Sequence, residues 1–107
     1  MPTRAPEAVM FAYNTGTSAI AGAQVVALGR DLGEAFGTDR GVLVLKVLRG
    51  TAAEESGLRG GDVIRKANGV EISEPAALQR AIRRAADRQV ELVLIRKKKQ
   101  MLLSLKW

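Results

Sequence analysis

Cysteine and histidine are both absent from the 107-residue chain. Without them no disulfide framework, no Cys- or His-ligated zinc site, no Ser-His-Asp triad and no Cys-His dyad can be assembled. Any chemistry would have to use carboxylates, lysines or hydroxyls alone. The carboxylates Glu54, Glu55 and Asp62 stand at capping or turn positions, which argues against an independent enzyme, and no cofactor or metal is implied. Aromatic residues make up only 4% of the chain: Phe11, Tyr13, Phe36 and Trp107. No apolar run approaches the roughly 18–20 residues of a membrane helix. Glu7 interrupts the opening stretch before a secretory apolar region can form.

What remains is ordinary for a soluble globular domain: 47% hydrophobic and 26% charged residues. The length suits one compact domain and not two, read here as an N-terminal arm over 1–6 and a single domain over 7–107. The formal charge is +6, from 17 Lys and Arg against 11 Asp and Glu. That excess sits almost entirely after residue 53. The densest cluster is Arg96-Lys97-Lys98-Lys99, and Arg80, Arg83, Arg84 and Arg88 follow one another at helical spacing. A nucleic-acid surface would interleave such a patch with stacking aromatics. Here none is interleaved, so the clusters read as a solvated turn and a solvated helix face.

Along the chain, residues 8–13 form a first apolar, strand-like run closed by Asn14-Thr15-Gly16-Thr17. Residues 19–28 form a second extended segment with an isolated Gly22 inside it, the mark of a bulge or of a close backbone approach. A short helix over 31–36, with Leu32, Ala35 and Phe36 on one face, ends at Gly37. The run 42–48 is β-branched and leucine-rich, as in a strand buried on both faces. Thr51 and Glu54 have capping-box spacing, and Gly57 supplies a left-handed stop. A strand over 62–67 meets Asn68-Gly69, a two-residue hairpin signal. Pro75 opens the longest helix, whose apolar stripe is Ala77, Leu78, Ala81, Ile82 and Ala85. Segments 89–95 and 100–106 make a terminal hairpin around the basic turn. The expected architecture is α+β and mostly β: a small sandwich or partial barrel with two helices.

Residues 41–72, GVLVLKVLRGTAAEESGLRGGDVIRKANGVEI, strongly resemble a PDZ domain of the bacterial kind. The pieces that carry the likeness are Gly50-Thr51-Ala52-Ala53, Ser56-Gly57-Leu58, Gly61-Asp62-Val63-Ile64 and Asn68-Gly69. Ala52 stands where the family usually has Pro. The resemblance extends over about 19–107 and implies the bacterial, permuted strand order. The motif residues themselves read as fold determinants: Gly61 permits a positive φ, and Asp62 can accept from backbone amides in its turn.

Function, as the resemblance implies it, lies elsewhere. Family members bind an extended C-terminus by strand addition between one strand and the longer helix, and a loop of apolar-Gly-apolar signature holds the terminal carboxylate through backbone amides. The matching positions here are Ile20, Ala21, Gly22 and Ala23, leading into Gln24 and Val25. The facing helix wall is Leu78, Ala81 and Ile82. The implied role is a peptide-binding module, with C-terminal or unfolded polypeptide segments as partners, serving a larger protein such as an HtrA/Deg-like serine protease. By the same likeness the compartment is periplasmic or otherwise extracytoplasmic. The aliphatic walls suit an apolar terminal residue, and the positive charge favours acidic residues upstream of it. The alternative is a scaffold or self-associating domain whose groove is filled by its own or a neighbouring chain, with segment 9–13 as the expected occupant.

Overall fold

The computed structural model describes residues 17–107. The strand-like run at 8–13 lies outside them. Where one extended segment is expected over 19–28, the chain instead makes a hairpin: β1 (Thr17–Ile20) and β2 (Ala23–Ala27) pair antiparallel, with Ile20 opposite Ala23 and Thr17 opposite Val26. Ala21 at φ 55° and Gly22 at φ 93° form the turn between them. Both residues take left-handed backbone, which is how a two-residue hairpin turn matches the twist of its strands. Of the two expectations for Gly22, a bulge or a close backbone approach, the bulge is not at this position: the irregularity lies beyond it, where Gln24 pairs with Lys46 and Val25 with Val44, leaving Leu45 of β3 as the extra residue.

Helix α1 (Arg30–Phe36) ends at Gly37 in left-handed conformation. It differs from the expected face: Gly33 is its buried residue, and Leu32 and Ala35 face solvent. Phe36 packs under the sheet with Leu28, Leu43, Val63 and Ile95. A Cβ at Gly33 would collide with the Thr38 carbonyl, so the helix seats itself on the glycine face. Strand β3 (Val42–Val47) is buried on both faces only over Val42, Leu43 and Val44, and Leu45 is exposed. Helix α2 (Ala52–Ser56) starts at Thr51, whose hydroxyl accepts from the Glu54 amide and donates to the Leu48 carbonyl. The Glu54 carboxylate reaches back to the Gly50 amide at 2.7 Å, one residue earlier than a strict capping box would place it.

Strands β4 (Val63–Ala67) and β5 (Val70–Glu71) flank the Asn68-Gly69 turn. Helix α3 (Pro75–Arg84) begins with Pro at its start and Glu74 as N-cap. Strands β6 (Gln89–Arg96) and β7 (Lys99–Lys106) close the chain, with Lys97 and Lys98 alone in the turn at positive φ. The described residues thus carry three helices rather than two. Their strands form one seven-stranded antiparallel sheet in the order β1-β2-β3-β4-β6-β7, with β5 on β4.

The sheet curls around a core of Val25, Val44, Ile64, Leu78, Val90, Leu92, Leu94 and Leu105, among others. Helix α3 lies across β1, β2 and β6. The two outer strands, β1 and β7, both come to α2. At its beginning the Ala53 amide donates to the Ala21 carbonyl, and at its end the Ser56 hydroxyl bonds both the amide and the carbonyl of Lys106. One short helix therefore anchors the turn between β1 and β2 and also shields an exposed strand edge.

Candidate functional site: the β2 edge and helix α3

The candidate groove is bounded by β2 and α3. On its other side β2 pairs with β3, so the edge toward α3 is the one an added strand would have to use. Of the nine candidate residues, Ile20, Ala23, Val25, Leu78, Ala81 and Ile82 come together in one apolar cluster. Ala23, Val25 and Leu78 are nearly inaccessible, whereas Ala81 and Ile82 are half-buried along the helix rim. Ala21 also packs against this cluster. Gln24 is half-buried between the buried Ala23 and Val25, and strand alternation puts it on the opposite face from them.

The turn at Ala21 and Gly22 is held from two directions. Leu48 donates its amide to the Gly22 carbonyl at 2.9 Å, and Ala53 donates to the Ala21 carbonyl at 3.0 Å. Gly22 is required twice over: its φ is positive, and a Cβ there would overlap the Thr51 side chain. With both carbonyls turned inward to these donors, the amides of Ala21 and Gly22 find no backbone acceptor among the described residues. Neighbouring amides free of internal partners are what a carboxylate or another small anion needs.

The α3-facing edge of β2 is not bare. Strand β1 occupies it, antiparallel to β2 and running toward the turn, with Ile20 buried to 4% exposure. Residues 17–20 thus lie along this edge; the segment 9–13, expected there from the sequence, lies outside the described residues. An Ala-Gly pair between two extended runs was the signal in the sequence, since it fits a two-residue turn as well as a bulge.

The basic clusters divide on inspection. Arg96 is not in the turn: its guanidinium makes two hydrogen bonds of 2.8 Å to the Asp62 carboxylate and a third to the Gly57 carbonyl. Asp62 is 1% exposed and also accepts from the Arg59 amide. Arg88 lies beyond α3 and grips the Trp107 carbonyl. Lys97, Lys98 and Lys99 remain a solvated tip, and Arg80, Arg83 and Arg84 an exposed face of α3. Among the described residues no group of acidic side chains could hold a metal ion, and no helix is long and apolar enough to cross a membrane.

The curled antiparallel sheet, the pinned glycine turn and the long helix beside β2 define a PDZ-type module. A PDZ-domain family model matches residues 43–96, and the chain belongs to that family. It is 46% identical over 57 residues to HhoA of Synechocystis sp., described there as a serine protease, a match covering 52% of this chain and 14% of that protein. The HtrA3 PDZ domain bound to a phage-derived ligand, FGRWV, superposes with a TM-score of 0.71 at 21% identity, over 84% of this chain and 85% of that one. The HtrA-type protease AlgW with a tripeptide gives 0.66 at 25% identity, over 99% of this chain and 37% of that one. The chain thus spans 14% of HhoA and about a third of AlgW. As a PDZ domain it is a non-catalytic module, and in such proteases the catalytic domain is separate.

Proposed function

We propose that the chain captures extended C-terminal or unfolded polypeptide segments by strand addition to β2, in the groove walled by Leu78, Ala81 and Ile82. It does so as the substrate-recognition or regulatory domain of a larger HtrA-like protease, in a bacterial periplasm or another extracytoplasmic space. What supports this reading is how the chain's own β1 lies there. An extended segment runs antiparallel to β2 toward the glycine turn, its last residue an aliphatic side chain buried beside Leu78. A peptide ending in an apolar residue would make the same ladder and fill the same pocket. Its carboxylate would meet the Ala21 and Gly22 amides, which find no backbone acceptor among the described residues. The HtrA3 domain of similar fold carries a ligand that ends in valine, an apolar residue of the kind this pocket suits.

The energetics set the scale. A few ladder hydrogen bonds at about 1 kcal/mol net each and one buried aliphatic side chain at about 1.5–3 kcal/mol must offset the cost of ordering and association. Binding is then micromolar or weaker, about 8 kcal/mol at most. The +6 charge quickens capture of peptides with acidic residues upstream of the terminus. Calorimetric titration tests this with matched pentapeptides ending in free valine, in amidated valine and in free aspartate. The first is expected to bind at least tenfold more tightly than the other two. Equal affinity for all three would refute terminal capture.

A further inference from the structure

The groove already contains a strand, and that strand is built from the parts a ligand would bring. β1 has four residues, runs in the ligand's direction, and seats one aliphatic side chain, Ile20, against the groove's apolar cluster. Beyond that its hold is slight. Ser18 is half-buried, Ala19 faces solvent, and among the described residues β1 pairs with β2 alone. We infer that β1 is a built-in competitor that gates the groove, so that peptide capture requires residues 17–20 to leave β2. This rests on the capture reading above.

Two consequences follow from the geometry. The first concerns affinity. A ligand sees the domain only in the fraction of molecules whose β1 is displaced, so apparent affinity is lowered by that fraction. β1 is tethered through a two-residue turn, which gives it a high effective concentration at the groove. A ligand competes through what β1 lacks: a terminal carboxylate for the Ala21 and Gly22 amides, and residues extending the ladder beyond Thr17. The second consequence is coupling. Peptide binding frees the chain leading into Thr17. By thermodynamic reciprocity, any force or contact that draws that chain away from β2 raises peptide affinity by the same factor. The domain is then both a receptor and a relay to the chain that enters β1.

The register supplies the test. Ile20 and Ala23 flank the turn as directly opposed residues. In an antiparallel ladder, hydrogen-bonded and non-bonded pairs alternate, and the pair next to a two-residue turn is bonded. Ala19 and Gln24 are therefore the non-bonded pair, with Cα atoms about 4.5 Å apart, close enough for a disulfide. Neither side chain belongs to the core, and the chain has no cysteine of its own. The variant Ala19→Cys/Gln24→Cys can thus be locked by oxidation and released by reduction with no competing thiol. Conversely, Ser18→Pro removes the next ladder donor facing Val25 and loosens β1.

Affinity for the fluorescein-labelled pentapeptide FGRWV, measured by anisotropy, is the readout. The oxidised double variant is expected to bind at least tenfold more weakly than its reduced form. Ser18→Pro is expected to bind about 10- to 1,000-fold more tightly than the parent, corresponding to an open state populated at 0.1–10%. Should Ser18→Pro prove unfolded by circular dichroism, the oxidised and reduced forms decide alone. Equal binding by oxidised and reduced forms would overturn the gate and leave peptide capture standing. Folded protein that binds in none of these states at millimolar peptide would overturn capture, and the gate with it.

Discussion

Replacing Arg96 by alanine is expected to cost about 3–5 kcal/mol of stability, the range for breaking a buried ion pair by removing one partner. The reason is an asymmetry between the two members. Asp62 is 1% exposed, while the Arg96 side chain keeps 19% of its surface accessible. Without Arg96 the carboxylate stays buried with the Arg59 amide as its remaining donor. Without Asp62 the guanidinium retains the Gly57 carbonyl and a path to water. Asp62→Ala should therefore cost less than Arg96→Ala, and the double variant should recover part of the loss. A domain of this size has about 5–15 kcal/mol in total, so Arg96→Ala comes near the unfolding threshold. Urea denaturation midpoints of the three variants check the order, and equal losses for both singles would contradict it.

The pair is also insensitive to pH on its basic side. The hydrogen bond to Asp62 raises the Arg96 guanidinium above its ordinary pKa, helped by that carboxylate's charge and opposed by burial. A raised basic group contributes its stability at every pH below its unfolded value and loses it only as pH climbs through the folded one. For an arginine that window lies above the physiological range, so no loss of this contribution is expected on going from neutral to mildly alkaline pH.

Gly22→Val is the second large effect. A β-branched residue at φ 93° is strained by about 1–3 kcal/mol, and its Cβ runs into Thr51, adding about 1–3 kcal/mol of overpacking. The strain falls on the turn that carries the Ala21 and Gly22 amides, so peptide binding should disappear along with stability. The two parts can be separated. Gly22→Ala combined with Thr51→Gly removes the collision but keeps the backbone strain, and glycine at an N-cap costs only a few tenths of a kcal/mol. The double variant is expected to be more stable than Gly22→Ala alone. If it is not, the contact with Thr51 does not determine the requirement for glycine.

Local chemistry made much of this fold legible. Thr51 with Glu54, Gly57, Asn68-Gly69 and Pro75 each act within a few residues, and each does what its spacing predicts, save that the Glu54 carboxylate caps the Gly50 amide rather than that of Thr51. The stripe Leu78, Ala81, Ile82 was legible for the same reason, since a period of 3.6 residues fixes a helix face before any packing is known. What the sequence hid is tertiary. Arg96 stands among lysines in the chain, and its role depends on Asp62, 34 residues away. Leu32 looks like a core residue until Gly33 is pressed against Thr38 and turns the helix the other way. An Ala-Gly pair inside an apolar run is compatible with a bulge or with a turn, and only the partner strand decides. That decision matters most, because the turn places the chain's own residues 17–20 along β2, where the proposed ligand strand would lie.

The most direct test of the central claim is an isotope-filtered NOE experiment on the labelled chain with unlabelled FGRWV. Capture by strand addition predicts cross-peaks from the peptide backbone to Gln24, Val25 and Val26 in antiparallel order, with the terminal valine methyls close to Leu78 and Ile82. Cross-peaks confined to another edge, such as β7 at Leu102 and Ser104, would contradict it.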